Sequence, residues 1–356
     1  MTSDALRASS QPLAVEHDVA LLDLDGVVYV GPHAVAGAVE HLGRARSLGQ
    51  RLAFVTNNAA RTPQAVATHL RELDIALDDA DVVTSAQAAA RLVAARVPAR
   101  SRVLVVGGEG LVEALAKHGL TAVHSADDSP AAVVQGFHPS VGWKLLAEGS
   151  YAVSAGLPWV ASNTDRTVPT ARGVAPGNGM LVAAVEEATG LTPLVAGKPE
   201  PALIEESVLR TGARSPLMVG DRLDTDISGA RRYGMPSLLV LTGVTTVEAL
   251  LRASGDERPD YVAGDLAGLL VAHPAVRFDG TVSTCAGWTA GVESGRLALR
   301  RDQSPAEQPA AAEALAALRA CVSTAWLAND ADRDTPAPEL DISRSVGRLQ
   351  EMIGAP

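Results

Sequence analysis

Residues 18–30 read DVALLDLDGVVYV. Asp18–Asp23 is an apolar run of strand length, and its apolar residues follow one another without polar alternation. Such runs suit a strand of a parallel sheet covered on both faces. Asp23 closes the strand, Asp25 follows two positions later, and Gly26 lets the backbone turn sharply beside a ligand. In an extended chain, residues two apart point the same way. Both carboxylates can therefore serve one site, although exit from the strand would swing the second. Open parallel sheets bind ligands at the carboxyl ends of their strands.

Outward from this stretch, strand and helix patterns alternate. Ala34–Leu48 reads as a helix stopped by Gly49, Arg51–Val55 as a strand, and Pro63–Leu73 as a helix. Further helices are predicted at Ala86–Ala95, Leu111–His118, Gly179–Thr189, Pro201–Arg210 and Ile227–Tyr233. Strands are predicted at Arg102–Val106, Ala131–Gln135, Trp159–Ser162, Leu217–Gly220, Leu238–Leu241 and Tyr261–Val262. The pattern is α/β, one parallel sheet interrupted by an inserted block. Past Pro274 it changes: Val276–Thr284 and Gly295–Leu299 read as strands, Gln308–Leu327 as an Ala-rich helix, Asp330–Pro338 as a polar break and Ile342–Met352 as a last helix.

Composition bounds the chemistry. The chain has 356 residues, enough for two or three domains, with 47% hydrophobic and 20% charged residues. Aromatics are only 3%, so the cores rest on Ala, Val and Leu. A formal charge of −11 argues against nucleic acid as a partner. No apolar stretch is long enough to span a bilayer, and Met1–Glu16 has no signal-peptide pattern, so a cytoplasmic setting without a membrane partner is expected. Cys285 and Cys321 are too few for a disulfide framework. The histidines lack zinc-like spacing, and Trp143, Trp159, Trp288 and Trp326 read as packing residues. Gly107-Gly108-Glu109-Gly110 does not match a dinucleotide fingerprint, no P-loop occurs, and a tight turn is the better reading.

Four separated signals fit one reaction. Asp23 can attack phosphorus, and Asp25 can protonate the leaving alkoxide and then deprotonate water. Thr56, Asn57 and Asn58 follow the second strand and offer a hydroxyl and amides to phosphoryl oxygens. Lys198, between Gly197 and Pro199, adds a point charge at a helix start. Asp221, Asp224 and Asp226 follow another apolar strand, and hard carboxylate oxygens suit Mg²⁺.

In this order the motifs resemble those of the haloacid dehalogenase superfamily over residues 18–272. The resemblance implies a Rossmann-like core. It implies Asp23 as nucleophile, Asp25 as general acid/base, and Thr56 and Lys198 as phosphate ligands. It implies Mg²⁺ on Asp23, the Asp25 main-chain carbonyl and Asp221, with Asp226 on a metal water or orienting Lys198. Thr56 and Lys198 are separated by roughly 140 residues, room for a further domain. LLDLDGVVY (21–29), FVTNNAART (54–62), VTSAQ (83–87), SNTDRTVPT (162–170), PGNG (176–179) and AGKPEP (196–201) are similar to the NagD / p-nitrophenylphosphatase branch, whose members include glycerol-3-phosphate and phosphoglycolate phosphatases. That implies a core over 18–82 and 192–273, a type-2 cap over 83–191, and a small α+β extension over 274–356. The irregular segment Asn163–Gly179 would read the alcohol part of the substrate, and Arg61, Asn163 and Asp165 are candidates for contacting it.

The expected substrate is a small phosphorylated metabolite, glycerol 3-phosphate before 2-phosphoglycolate. A phospho-switch would store the phosphoryl group, but Asp25 and a cap argue for turnover; a phosphotransferase would use the same residues. Some relatives carry a tail resembling part of an acetyltransferase, yet no R-x-x-G-x-G/A loop occurs here. A structural or regulatory tail is expected instead. A homo-oligomer contact would form through the cap or this extension.

Overall fold

The computed structural model describes residues 5–170, 172–302, 311–331 and 340–353. They form two compact units, one of residues 1–52 and 214–356, the other of residues 53–213.

In the first unit, four strands pair in parallel, in the order Tyr261–Ala263, Ser237–Val240, Pro216–Gly220 and Val19–Leu22. Val19–Leu22 is buried along its whole length, as a strand covered on both faces must be. The starts of Val19–Leu22 and Pro216–Gly220 are tied together: Asp18 accepts from the Arg214 and Ser215 N–H groups at 2.8 and 2.9 Å. At their carboxyl ends they place Asp23 and Asp221, each one residue past its strand.

The segment after Pro274 builds a four-stranded antiparallel sheet, Arg277–Phe278, Val282–Cys285, Trp288–Glu293 and Arg296–Arg301, with helices Ala311–Ala331 and Ser343–Ile353. The expected single strand Val276–Thr284 is broken. Asp279 Oδ1 accepts from the Thr281 and Val282 N–H groups, both at 2.9 Å, and Gly280 takes φ +103°, so Asp-Gly acts as the hairpin signal it commonly is. The Ala-rich helix begins, within the described residues, at Ala311; residues 308–310 and most of the polar break lie outside them. Cys285 and Cys321 are free and buried. They sit with Trp288, Trp326, Leu250 and Ile227 in one apolar core, so the extension and the parallel sheet share their interior.

One buried cluster links the extension to the sheet electrostatically. His273 lies edge-on to Tyr261 at 5.1 Å, with its Nε2 2.9 Å from the Gly268 carbonyl and its Nδ1 3.5 Å from Arg319 Nη1. Burial pushes its pKa down to about 4, the Gly268 carbonyl opposes this, and the positive charge of Arg319 adds to the fall. His273 is therefore neutral in the fold, while the unfolded chain takes up a proton near 6.5. Its contribution to stability is complete above about pH 6.5 and is lost as pH falls toward 4, up to about 3 kcal/mol. Melts between pH 7 and 5 should show this loss, and His273→Gln should flatten it; equal slopes for both proteins would remove the assignment.

In the second unit, Arg51–Thr56 pairs in parallel with Val82–Thr84, bringing Thr56 opposite Thr84. A separate five-stranded parallel sheet runs Leu194–Val195, Trp159–Ala161, Ala132–Gln135, Arg102–Val106, Thr121–Val123. Helix starts follow their capping residues. Thr62 accepts from the Ala65 N–H with Pro63 in the first turn, and Thr84 and Gln87 form a capping box. Trp143 departs from its expected packing role: it is 77% exposed at the start of helix Trp143–Ser154. Asn163–Gly179, expected to be irregular, contains a hairpin pairing Thr167–Thr170 with Gly173–Pro176.

Candidate active site

In the first unit, ligand oxygens of Asp23, Asp221 and Asp226 lie within 4.8 Å of one another. Asp221 and Asp226 are each 1% exposed, and Asp23 is half-buried. Three carboxylates at that spacing repel strongly unless a cation compensates them. The cluster is kept open by glycines. A Cβ on Gly26, whose φ is +83°, would lie 2.6 Å from Asp221 Cγ; one on Gly243 would lie 2.8 Å from Asp221 Cβ; one on Gly220 would collide with Asp226 Cβ. These positions take no side chain without displacing a carboxylate. An all-oxygen donor set in such a cradle fits a hard divalent ion such as Mg²⁺.

The backbone fixes each member. The Asp23 N–H donates to the Val219 carbonyl at 2.9 Å, continuing the sheet by one bond. Asp221 Oδ2 accepts from the Val244 N–H at 2.6 Å, and its carbonyl accepts from the Thr245 N–H at 3.1 Å. Asp226 sits in the π-helical turn Leu223–Ile227, and its Oδ2 accepts from the Arg222 N–H at 3.2 Å. Asp226, expected on a metal water or orienting Lys198, lies within the carboxylate cluster. Asp25 is exposed in the turn after the strand. Its neighbour Gly26 donates its N–H to the Tyr29 carbonyl at 2.8 Å and accepts from Thr242 Oγ1 at 2.5 Å.

The second unit gathers the expected phosphate residues. Thr56 and Lys198 are buried, 6% and 2% exposed, and Lys198 Nζ lies 3.5 Å from the Val55 carbonyl. The Lys198–Pro199 peptide is cis. Asn57 grips the Lys198 main chain at two points: its Oδ1 accepts from the Lys198 N–H at 2.9 Å, and its Nδ2 donates to the Lys198 carbonyl at 3.0 Å. The same Nδ2 reaches the Asp165 carboxylate at 3.3 Å. With both amide hydrogens so used, any phosphate contact from Asn57 falls to its main chain. The Asn58 N–H donates to Thr56 Oγ1 at 3.1 Å, and the exposed Asn58 side chain accepts from the Ala60 N–H at 2.8 Å.

Asn163 is buried, and its amide donates to the Asn57 carbonyl at 2.7 Å while its Oδ1 accepts from the Asp165 N–H at 3.1 Å. This fits a strut better than a substrate contact. Arg61 is exposed, and its main chain lies against Gly110, where a Cβ would come 2.6 Å from the Arg61 carbonyl. That contact accounts for Gly110, already in helix Glu109–Lys117; a Cβ on Gly107 or Gly108 would instead meet Leu111 or His138. Sequence reasoning missed Ser85, which donates to the Asn57 carbonyl at 2.5 Å, and the segment Thr242–Thr245 that holds Asp221. The signal was present: LTGVT (241–245) follows an apolar strand, as the acidic motifs do.

Comparisons with known proteins agree with this geometry. A family model described as haloacid dehalogenase-like hydrolase matches residues 20–121, and a HAD-hydrolase-like model matches residues 195–269. The chain is 45% identical over 320 residues to the D-glycerol 3-phosphate phosphatase of Mycobacterium tuberculosis, covering 90% of this chain and 89% of that one. A crystal structure of glycerol phosphate phosphatase from Mycobacterium tuberculosis in complex with magnesium superposes with TM-score 0.82 at 41% identity, over 96% of this chain and 98% of that one. A p-nitrophenyl phosphatase from Archaeoglobus fulgidus matches with TM-score 0.66 at 30% identity, over 71% of this chain and 98% of its own.

Proposed function

The chain belongs to the haloacid dehalogenase-like hydrolase family and is a phosphatase, and from that premise we propose that it hydrolyses glycerol 3-phosphate to glycerol and phosphate through an aspartyl phosphate on Asp23. The observation that carries this reading is the Asp23–Asp221–Asp226 cluster in its glycine-lined cradle. Mg²⁺ bound there would supply positive charge to the phosphoryl oxygens and to the nucleophile.

The chain's own residues do the rest. A carboxylate oxygen of Asp23 attacks phosphorus in line, and the P–O bond to glycerol breaks. Asp25 gives its proton to the departing alkoxide. Asp25 then takes a proton from water, which attacks the same phosphorus and frees the Asp23 carboxylate. The Thr56 hydroxyl and Lys198 ammonium bind phosphoryl oxygens, with Lys198 held by the Asn57 grip. We assign residues 83–191 as a cap that restricts the leaving group, its exposed hairpin Thr167–Thr170/Gly173–Pro176 reading the alcohol. No described helix is long and apolar enough to cross a membrane, and two free buried thiols accord with a cytoplasmic setting.

Phosphate release from a panel of small esters tests this reading. Glycerol 3-phosphate should give the highest kcat/KM, ahead of 2-phosphoglycolate. Chelation should silence the enzyme and added Mg²⁺ restore it. Full activity in chelator would exclude the metal role, and a clear preference for another ester would exclude the substrate.

A further inference from the structure

The segment Thr242–Thr245 clasps the carboxylate cluster from one side. It holds Asp221 by the Val244 and Thr245 N–H groups and the turn at Gly26 by Thr242 Oγ1. It runs directly into helix Val247–Arg252, capped by Thr246, whose Oγ1 accepts from the Ala249 N–H at 3.1 Å. A six-residue helix is too short to hold its place by its own hydrogen bonds. Its last carbonyls also need partners from elsewhere.

The C-terminal helix Ala311–Ala331 supplies one for Leu251 and a second for Leu250, whose carbonyl also accepts from the Ala253 N–H at 3.2 Å. Trp326 Nε1 donates to the Leu250 carbonyl at 2.9 Å, and Asn329 Nδ2 to the Leu251 carbonyl at 3.2 Å. Arg258, 2% exposed, closes the joint. It donates to the Ala253 carbonyl at 3.0 Å, pairs with Asp330 at 2.7 and 2.9 Å, and lies 5.0 Å from the Trp326 ring centroid. Leu223 and Ile227, which bracket Asp226, belong to the same apolar core as Leu250, Leu251 and Trp326.

We propose that the C-terminal extension is a brace for the metal site: Trp326 and Asn329 act as positioning residues that hold Val247–Arg252, and through it Thr242–Thr245, so that Asp221 keeps its place for Mg²⁺. The inference rests on the metal role proposed for Asp221. Outer partners of this kind tune affinity without touching the ion.

Mg²⁺ titration by calorimetry tests it on the full-length protein, with phosphate release at saturating Mg²⁺ as a second readout. Trp326→Phe keeps an aromatic ring, smaller than the indole, and removes the N–H donor; Asn329→Ala removes the second donor at a half-buried position, without touching the core. Each variant should raise the Kd for Mg²⁺ by about three- to tenfold, and saturating Mg²⁺ should restore kcat. A purely structural helix would lower Tm and leave the Kd of the folded protein unchanged. That result in Asn329→Ala, or in both variants, overturns the brace. If Asp221→Asn binds Mg²⁺ as the wild type does, the metal reading fails, and that outcome is distinct from failure of the brace alone.

Discussion

Asp23→Asn should fold as the wild type does and release phosphate slower by on the order of 10⁴-fold or more. The amide keeps the shape of the carboxylate and loses its nucleophilic oxygen. The strand keeps its place, because the Asp23 N–H bonds to the Val219 carbonyl and the apolar run Val19–Leu22 is untouched. Tm should stay near that of the wild type. Thermal melts beside phosphate-release assays separate loss of chemistry from loss of fold. A variant that melts normally and retains a tenth of the activity would show that the nucleophile is another group.

Asp25→Asn should slow the release of glycerol from glycerol 3-phosphate by on the order of 10²–10⁴, and slow the first release of nitrophenol from an aryl phosphate such as p-nitrophenyl phosphate much less. Glycerol leaves as a strongly basic alkoxide and needs a proton in the transition state. A nitrophenolate leaves without one. The second half-reaction still needs a base for water, so with the aryl ester the variant should show a burst of nitrophenol followed by a slow steady state. Because Asp25 is exposed in the turn, its substitution should leave the packing intact. Equal losses for both esters, without a burst, would remove Asp25 as the acid and base.

The parts of this molecule legible in its sequence are those fixed by local pattern. Val19–Leu22, Arg102–Val106 and Pro216–Gly220 are continuous apolar runs, and no other element accommodates them so well. Asp23 and Asp221 could be singled out because each stands just past a strand; Lys198, expected at a helix start, lies instead in the turn before Glu200, the cap of helix Pro201–Thr211. What stayed hidden depends on three-dimensional neighbours. Trp143–Ser154 was missed as a helix because exposed Trp143 and Tyr151 and an internal Gly149 blur its apolar face. Asp226 could be named from its motif, but the π-helical turn Leu223–Ile227 that carries it is a backbone register no local pattern announces. Asn57 read as a phosphate ligand because its grip on Lys198 spans 141 positions of the chain. The bonds from Trp326 and Asn329 to Leu250 and Leu251 span 76 and 78 positions, so the place of the extension could not be read from its own residues.

Everything proposed for the reaction turns on a covalent bond between phosphorus and one side chain. Acid quench during turnover of glycerol 3-phosphate, borohydride reduction of any acyl phosphate, and peptide mass spectrometry would locate that bond. A reduced residue is expected at Asp23, absent without substrate and absent in Asp23→Asn. Reduction at a different carboxylate, or turnover that never modifies Asp23, would contradict it.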